Sequence, residues 1–158
     1  MRPMPHPRRP SQGDFVGAEK CGTCHEQEYS IWKKSQHARA TQTLVGLDPP
    51  RQFDPECLAC HVTGWHPQAV FPYVGGYSDL EATPALASVG CESCHGPGGH
   101  HVAAEEGGDE AQQTRLRRAL VLTKDEARRR ACPSCHDVEN SPDFDFHAYW
   151  PDVAHAEE

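Results

Sequence analysis

The pattern of apolar and polar positions along the chain predicts short helices joined by long loops. Residues 26–44 contain neither Gly nor Pro, and they are predicted to form one helix with Tyr29, Trp32 and Gln36 on the face that begins at His25. Residues 62–88 are rich in Gly, Pro and aromatic side chains and are predicted to form an irregular loop that shields a bound group. Residues 123–126 have the sequence of a capping box, which predicts a short helix through Ala131.

Composition sets a second constraint, because the chain has little apolar material for a core. Its 158 residues are sufficient for one domain, yet only 37% are hydrophobic, and 13 Gly and 14 Pro interrupt them. Residues 1–14 have no apolar run and are predicted to be a disordered tail, with a single domain over residues 15–158. No segment approaches the roughly 18 apolar residues of a membrane span. The net charge of −8 argues against nucleic-acid binding.

The cysteines indicate what else could form the core, since all eight occur in four copies of the pattern C-x-x-C-H. This pattern is the attachment site of c-type haem, in which two thiols add across the haem vinyl groups and the adjacent histidine binds the iron. The sequence therefore predicts four covalent haems whose apolar faces form most of the core. The predicted attachment cysteines are Cys21, Cys24, Cys57, Cys60, Cys91, Cys94, Cys132 and Cys135, and the proximal histidines are His25, His61, His95 and His136.

Two other interpretations of the cysteine pairs are weaker. In zinc ribbons the second pair follows the first after about 15–20 residues, and every interval here is longer. A disulfide framework would suit an exported protein, but it gives no reason for a histidine after each pair.

The second axial ligand of each iron is predicted to be histidine rather than methionine. The two methionines, Met1 and Met4, both lie in the N-terminal tail, so we expect low reduction potentials. On a straight helix His37 would lie about 18 Å from His25, and it must therefore serve another haem or none. His101 follows His95 through a Gly-Pro-Gly-Gly turn that is too short to pass around one haem, so we expect it to reach a neighbouring iron. The turn glycines are expected to let the backbone lie against a porphyrin.

Four segments together resemble the cytochrome c-554 type of tetrahaem cytochrome over residues 15–155. They are FVGAEKCGTCHEQEYSIWKKSQHARA, CLACHVTG, TPALASVGCESCHGPGGHHV and CPSCHDVENSPDFDFHAYWPDVAH. The resemblance implies a mostly α-helical fold, with helices and long loops packed around four haems in closely stacked pairs. Members of this family accept electrons from hydroxylamine oxidoreductase in ammonia oxidisers, and similar domains occur in other respiratory settings.

The resemblance also implies distal ligands. His37 would bind the haem of His136, His101 rather than His100 would bind the haem of His25, and His155 would bind the haem of His95. In the family the second haem, here on His61, is typically five-coordinate. This sequence adds histidines to the family pattern, at His66, His100 and His147, and either His147 or His6 could close the open site on His61.

We therefore expect an extracytoplasmic electron-transfer protein that relays electrons between redox protein partners and has no catalytic side chains. Haem attachment of this type follows export, so we expect the export signal, which residues 1–14 lack, to have been removed or to lie upstream of the chosen start. One alternative function is reduction of a small nitrogen oxide at an open haem on His61. Another is a homo-oligomeric filament in which a histidine of one chain completes a haem of the next.

Overall fold

Short helices make up most of the regular structure, connected by loops. The computed structural model describes residues 14–155, and within that range it contains nine α-helices and one two-stranded sheet. The helices are α1 (Ala18–Gly22), α2 (Glu26–Lys34), α3 (Ala40–Val45), α4 (Pro55–His61), α5 (Cys91–His95), α6 (Gly99–Gly107), α7 (Glu110–Leu120), α8 (Lys124–Glu126) and α9 (Phe146–Tyr149). The strands β1 (Trp65–His66) and β2 (Phe71–Pro72) pair antiparallel, with Trp65 opposite Pro72. This architecture confirms the mostly helical fold class.

Shorter helical turns fill several of the connections. Four are 3-10 turns, and one is a π-helical turn that continues α8 into the fourth cysteine motif. The 3-10 turns are His37–Arg39, Pro84–Leu86, Cys132–Ser134 and Trp150–Asp152, and the π turn is Ala127–Ala131.

Local sequence fixes where several of the helices begin. The side chain of Asp54 caps α4 by accepting a bond from the Glu56 N–H at 3.0 Å, and Pro55 occupies the first helical position, where its missing N–H costs nothing. Asp109 caps α7 in the same way, accepting from the Gln112 N–H at 3.0 Å. The capping box that the sequence predicts before α8 is confirmed, because the Thr123 and Glu126 side chains each bond to the other's backbone N–H.

The predicted continuous helix over residues 26–44 is wrong. It ends at Lys34, because Ser35 adopts an extended conformation and both its N–H and its hydroxyl bond to the Trp32 carbonyl, at 2.9 and 2.6 Å. Serine can satisfy the last carbonyls of a helix with its own hydroxyl, which competes with continuation of the helix. The break turns His37 away from the axis of α2.

The apolar core is small, and the predicted loop over residues 62–88 contributes much of it. Val62, Tyr77 and Leu86 pack with Leu44 and Leu58 in one buried cluster. The segment is irregular as expected, apart from its two short strands and one 3-10 turn, but it is also a structural part of the core.

Two other features bear on the sequence-based predictions. Within residues 14–155, no helix combines the length and the apolar character needed to cross a membrane. The predicted disordered tail falls almost entirely outside the described residues, and so does His6.

Candidate haem-binding site

Each cysteine pair lies on a helical turn, which brings its two thiols to the same side of the chain. Residues three apart are neighbours on a helix surface. Three of the pairs lie in or at the end of α1, α4 and α5, and the fourth begins with the 3-10 turn Cys132–Ser134. Backbone bonds from the following histidine close the turn, such as His25 N–H to the Cys21 carbonyl at 3.0 Å and His136 N–H to the Cys132 carbonyl at 2.9 Å.

The structure brings the cysteine motifs together in two pairs. The first and third motifs meet where the Cys21 thiol forms a hydrogen bond with Cys91, which raises the pKa of Cys21, as burial also does, and lowers that of Cys91. The second and fourth motifs meet in the same way through Cys60 and Cys135, where the hydrogen bond and burial raise the pKa of Cys60. Haems attached at these thiols would therefore lie next to each other in two pairs.

Three proximal histidines each face a second imidazole. The ring centres of His25 and His101 lie 6.3 Å apart, those of His37 and His136 lie 6.0 Å apart, and those of His95 and His155 lie 5.7 Å apart. Two imidazoles on opposite sides of one iron, with metal–nitrogen bonds of about 2 Å, place their ring centres about 6 Å apart. The three pairs thus fit the dimensions of a bis-histidine haem.

Hydrogen bonds at Nδ1 orient several of these rings. Nδ1 of His61 lies 2.8 Å from the Ala40 carbonyl, and Nδ1 of His95 lies 2.7 Å from the Leu120 carbonyl. Because a carbonyl only accepts, Nδ1 must carry the proton in both rings, which leaves Nε2 with a free lone pair. That tautomer is the one in which Nε2 binds a metal. His155 repeats the arrangement with the Val153 carbonyl at 2.8 Å.

Burial favours the neutral imidazole at three of the positions. It lowers the pKa of His37, with further contributions from His136 and His61, and it lowers the pKa of His95 and of His136. Only a neutral imidazole has a lone pair for a metal, so this shift suits the ligand role.

His61 differs from the other three proximal histidines. Its Nδ1 bonds to the Ala40 carbonyl and lies 3.3 Å from the Thr43 hydroxyl, but within residues 14–155 no second imidazole is paired with its ring. His147 lies on α9, exposed, with its ring in edge contact with Phe146 at 5.7 Å.

The two remaining extra histidines lie elsewhere. His66 is half-buried against Phe71 and Tyr73, and its Nδ1 accepts a bond from the Ala69 N–H at 3.1 Å. His100 is exposed on α6, whereas the adjacent His101 is the residue that faces His25.

A buried network of hydroxyl groups connects the second motif to the third. The Thr41 hydroxyl donates to the His61 carbonyl at 2.8 Å and accepts from the Ser88 N–H at 2.7 Å. The Thr63 hydroxyl donates to the Ser88 carbonyl and accepts from the Gly90 N–H, both at 2.9 Å. Gly90 directly precedes Cys91, so the network sets the third motif against the second.

Sequence reasoning missed Glu92, the first variable residue of the third motif. Its side chain is 2% exposed, and its carboxylate accepts bonds from three backbone N–H groups: Val16 at 3.0 Å, Gly17 at 2.8 Å and Gly98 at 2.7 Å. Burial raises the pKa of Glu92, although these three bonds act in the opposite direction. No sequence signal marks this role, because variable positions of the motif carry no ligand chemistry.

The Gly-Pro-Gly-Gly turn also has a contact that the sequence did not indicate. A Cβ on Gly99 would lie 2.7 Å from the backbone oxygen of Asp14, and the Gly99 N–H bonds to that same oxygen at 2.9 Å. Glycine is therefore required at position 99 because the backbone of the segment before α1 passes close to it.

Comparison with known proteins agrees with this site. A sequence model of the family described as cytochrome c554 and c-prime matches residues 20–96, which contain the first three motifs. Cytochrome c-554 of Nitrosomonas europaea is 33% identical over 147 residues, which cover 81% of this chain and 60% of that protein. The chain is therefore similar to cytochrome c-554 over most of its own length. The structure of reduced cytochrome c554 from the same organism matches with a TM-score of 0.54 at 29% identity, over 80% of this chain and 66% of that one.

A second relative is more distant and much longer. The multihaem cytochrome MtrA of Shewanella baltica is 34% identical over 80 residues, which are 51% of this chain and 22% of that protein. The chain thus spans less than two thirds of the length of each of these relatives. The similarity to cytochrome c-554 confirms the predicted resemblance.

Proposed function

We propose that the chain is an extracytoplasmic electron relay with four covalent haems, three of them bis-histidine and of low potential. The proposed ligand pairs are His25 with His101, His95 with His155, and His136 with His37. The observation that carries the proposal is the separation of the three imidazole pairs, 5.7 to 6.3 Å between ring centres. The partners would be redox proteins that donate and accept single electrons.

The pairing of the motifs supports a relay rather than four isolated centres. The Cys21–Cys91 and Cys60–Cys135 contacts would bring haems together within each pair, and the Thr41, Ser88 and Thr63 network joins the second motif to the third. When bound, the haems supply the electron-accepting iron. The chain supplies their spacing, their axial ligands and the exclusion of water.

The test is a redox titration of protein matured in a host that attaches haem c. We expect four haems per chain by pyridine haemochrome assay and intact mass. We also expect three low-spin ferric species by electron paramagnetic resonance, with potentials in the low range of bis-histidine haems. A colourless protein with free thiols, or one with fewer than three low-spin haems, would contradict the proposal.

A second candidate function is reduction of a small nitrogen oxide at the haem on His61. It is favoured by one observation, that no imidazole of residues 14–155 is paired with His61. A high-spin ferric signal, a spectral shift on addition of nitric oxide and turnover with a chemical reductant would together support it. Fully low-spin spectra would exclude it.

The filament alternative requires a histidine of one chain to complete the haem on His61 of another. His147 is exposed and available for such a contact. If His147 completes the His61 haem of another chain, His147→Ala converts one haem to high-spin and disperses the oligomer in size-exclusion chromatography. An unchanged spectrum and elution volume would exclude His147 from this role.

A further inference from the structure

The distal histidine His101 differs from three other candidate ligands in what lies beside its Nδ1. Nδ1 of His61, His95 and His155 each contacts a backbone carbonyl at 2.7 to 2.8 Å. Nδ1 of His101 is buried and has no hydrogen-bond partner within the described residues. The Glu105 carboxylate, one helical turn further along α6, lies 3.4 Å from it, an ion-pair distance without hydrogen-bond geometry.

Glu105 is held in this position from α7. The Arg117 guanidinium donates two bonds to it, from Nε to Oε1 at 2.9 Å and from a terminal nitrogen to Oε2 at 2.7 Å. Such a two-point contact fixes the orientation of a carboxylate as well as its position. Because α6 and α7 form a hairpin about Gly108, which adopts the left-handed conformation, the fold itself brings Arg117 over Glu105.

We propose that Glu105 is a positioning residue that lowers the reduction potential of the haem held by His25 and His101. The inference rests on the proposed function, in which His101 is the distal ligand of that haem. A carboxylate beside the outer nitrogen of a ligating histidine orients the ring and makes it a stronger electron donor. Ferric iron carries one more positive charge than ferrous iron, so a nearby anion favours the ferric form.

The redox step is the transfer of a single electron. The iron accepts one electron from a donor protein, and no bond is formed or broken in the protein. The charge of Glu105 is the same before and after the step. Its effect is therefore only to stabilise the ferric state of the haem relative to the ferrous state.

Glu106 provides a matched control on the same helix. It is the residue next to Glu105, but it lies outward, with its side chain 65% exposed and paired with Lys20 at 2.8 Å. Glu105→Gln and Glu106→Gln therefore remove the same charge from neighbouring positions, and only the first removes it from beside His101.

The experiment is a spectroelectrochemical titration of the holoprotein with both variants. Glu105→Gln should shift one of the four redox transitions toward reduction by about threefold to tenfold in the ferrous-to-ferric ratio, where tenfold corresponds to about 59 mV for one electron. Glu106→Gln should shift the same transition by less than about half of that change in potential, because its charge is screened by solvent. Equal shifts in the two variants, or none in Glu105→Gln, would overturn the inference.

Electron paramagnetic resonance separates failure of the inference from failure of the proposed function. The low-spin signal that is present in wild type and absent in His101→Ala belongs to the haem held by His25 and His101. If wild type lacks that signal, the proposed ligation fails. If the signal is present in wild type and in Glu105→Gln while the potential does not move, only the role of Glu105 fails.

Discussion

The imidazole rings of His37 and His136 lie 6.0 Å apart, although one follows the first cysteine motif and the other belongs to the last. Two long-range hydrogen bonds hold His37 in place. Its carbonyl accepts from the Val89 N–H at 3.1 Å, and the indole of Trp32 donates to the Val89 carbonyl at 2.8 Å. The segment that leads into the third motif therefore also fixes the proposed distal ligand of the fourth haem.

Replacement of His37 by alanine should convert one haem of four from low-spin to high-spin. The ferric spectrum should gain a high-spin component equal to about a quarter of the total haem, because only one axial position is emptied. His66→Ala is the matched control, since His66 packs against Phe71 and Tyr73 and faces no proximal histidine within the described residues. An unchanged spectrum in His37→Ala would show that His37 is not a ligand.

Glu92 should contribute strongly to stability. Glu92→Ala would leave the N–H groups of Val16, Gly17 and Gly98 buried without their acceptor. Such losses cost about 1–3 kcal/mol, and we expect the free energy of unfolding to fall by at least about 2 kcal/mol. Guanidinium titration of the holoprotein, followed by haem absorbance, measures the change. Glu19→Ala, which removes an exposed carboxylate from α1, should change stability by less than about 0.5 kcal/mol.

The raised pKa of Glu92 also gives a sign for the pH dependence of stability. Burial raises the pKa, so the folded state binds this proton more tightly than the unfolded chain does. Ionised Glu92 therefore carries a cost at neutral pH that is relieved as the pH falls through its folded pKa toward the ordinary carboxyl range. The stability of wild type relative to Glu92→Gln should increase as the pH is lowered from 7 toward the ordinary carboxyl pKa of 4.5, measured by guanidinium titration at each pH. A decrease over that interval would contradict the argument.

Some parts of this structure could be predicted from the sequence and its local chemistry. The capping box at Thr123 and the cysteine turns depend on residues within a few positions of one another, and both are recognisable as patterns. The three histidine pairs were implied by family resemblance, and the same three pairs of rings lie 5.7 to 6.3 Å apart in the structure. Spacing alone left His37 serving another haem or none.

Other parts could not be predicted because they depend on contacts between distant segments. Glu92 bonds to Gly17, 75 positions earlier, and Thr41 bonds to Ser88, 47 positions later. Nothing near these residues in sequence distinguishes them from an ordinary solvent-exposed side chain. The break at Ser35 was missed for a related reason, since serine is also compatible with a helix interior and the Trp32 indole is bonded to the carbonyl of a residue 57 positions away, Val89.

The Thr41 hydroxyl should be necessary for the junction between the second and third motifs. Thr41 is fully buried, and Thr41→Val would remove the acceptor of the Ser88 N–H and the donor to the His61 carbonyl while keeping nearly the same volume. An unsatisfied buried group costs about 1–3 kcal/mol, so we expect the free energy of unfolding to fall by about 2 kcal/mol. Thr41→Ser keeps the hydroxyl and loses only a methyl group, which makes it the control. In Thr41→Ser the free energy of unfolding should fall by about 1 kcal/mol. A Thr41→Ser variant as unstable as Thr41→Val would assign the effect to packing rather than to the hydrogen bonds.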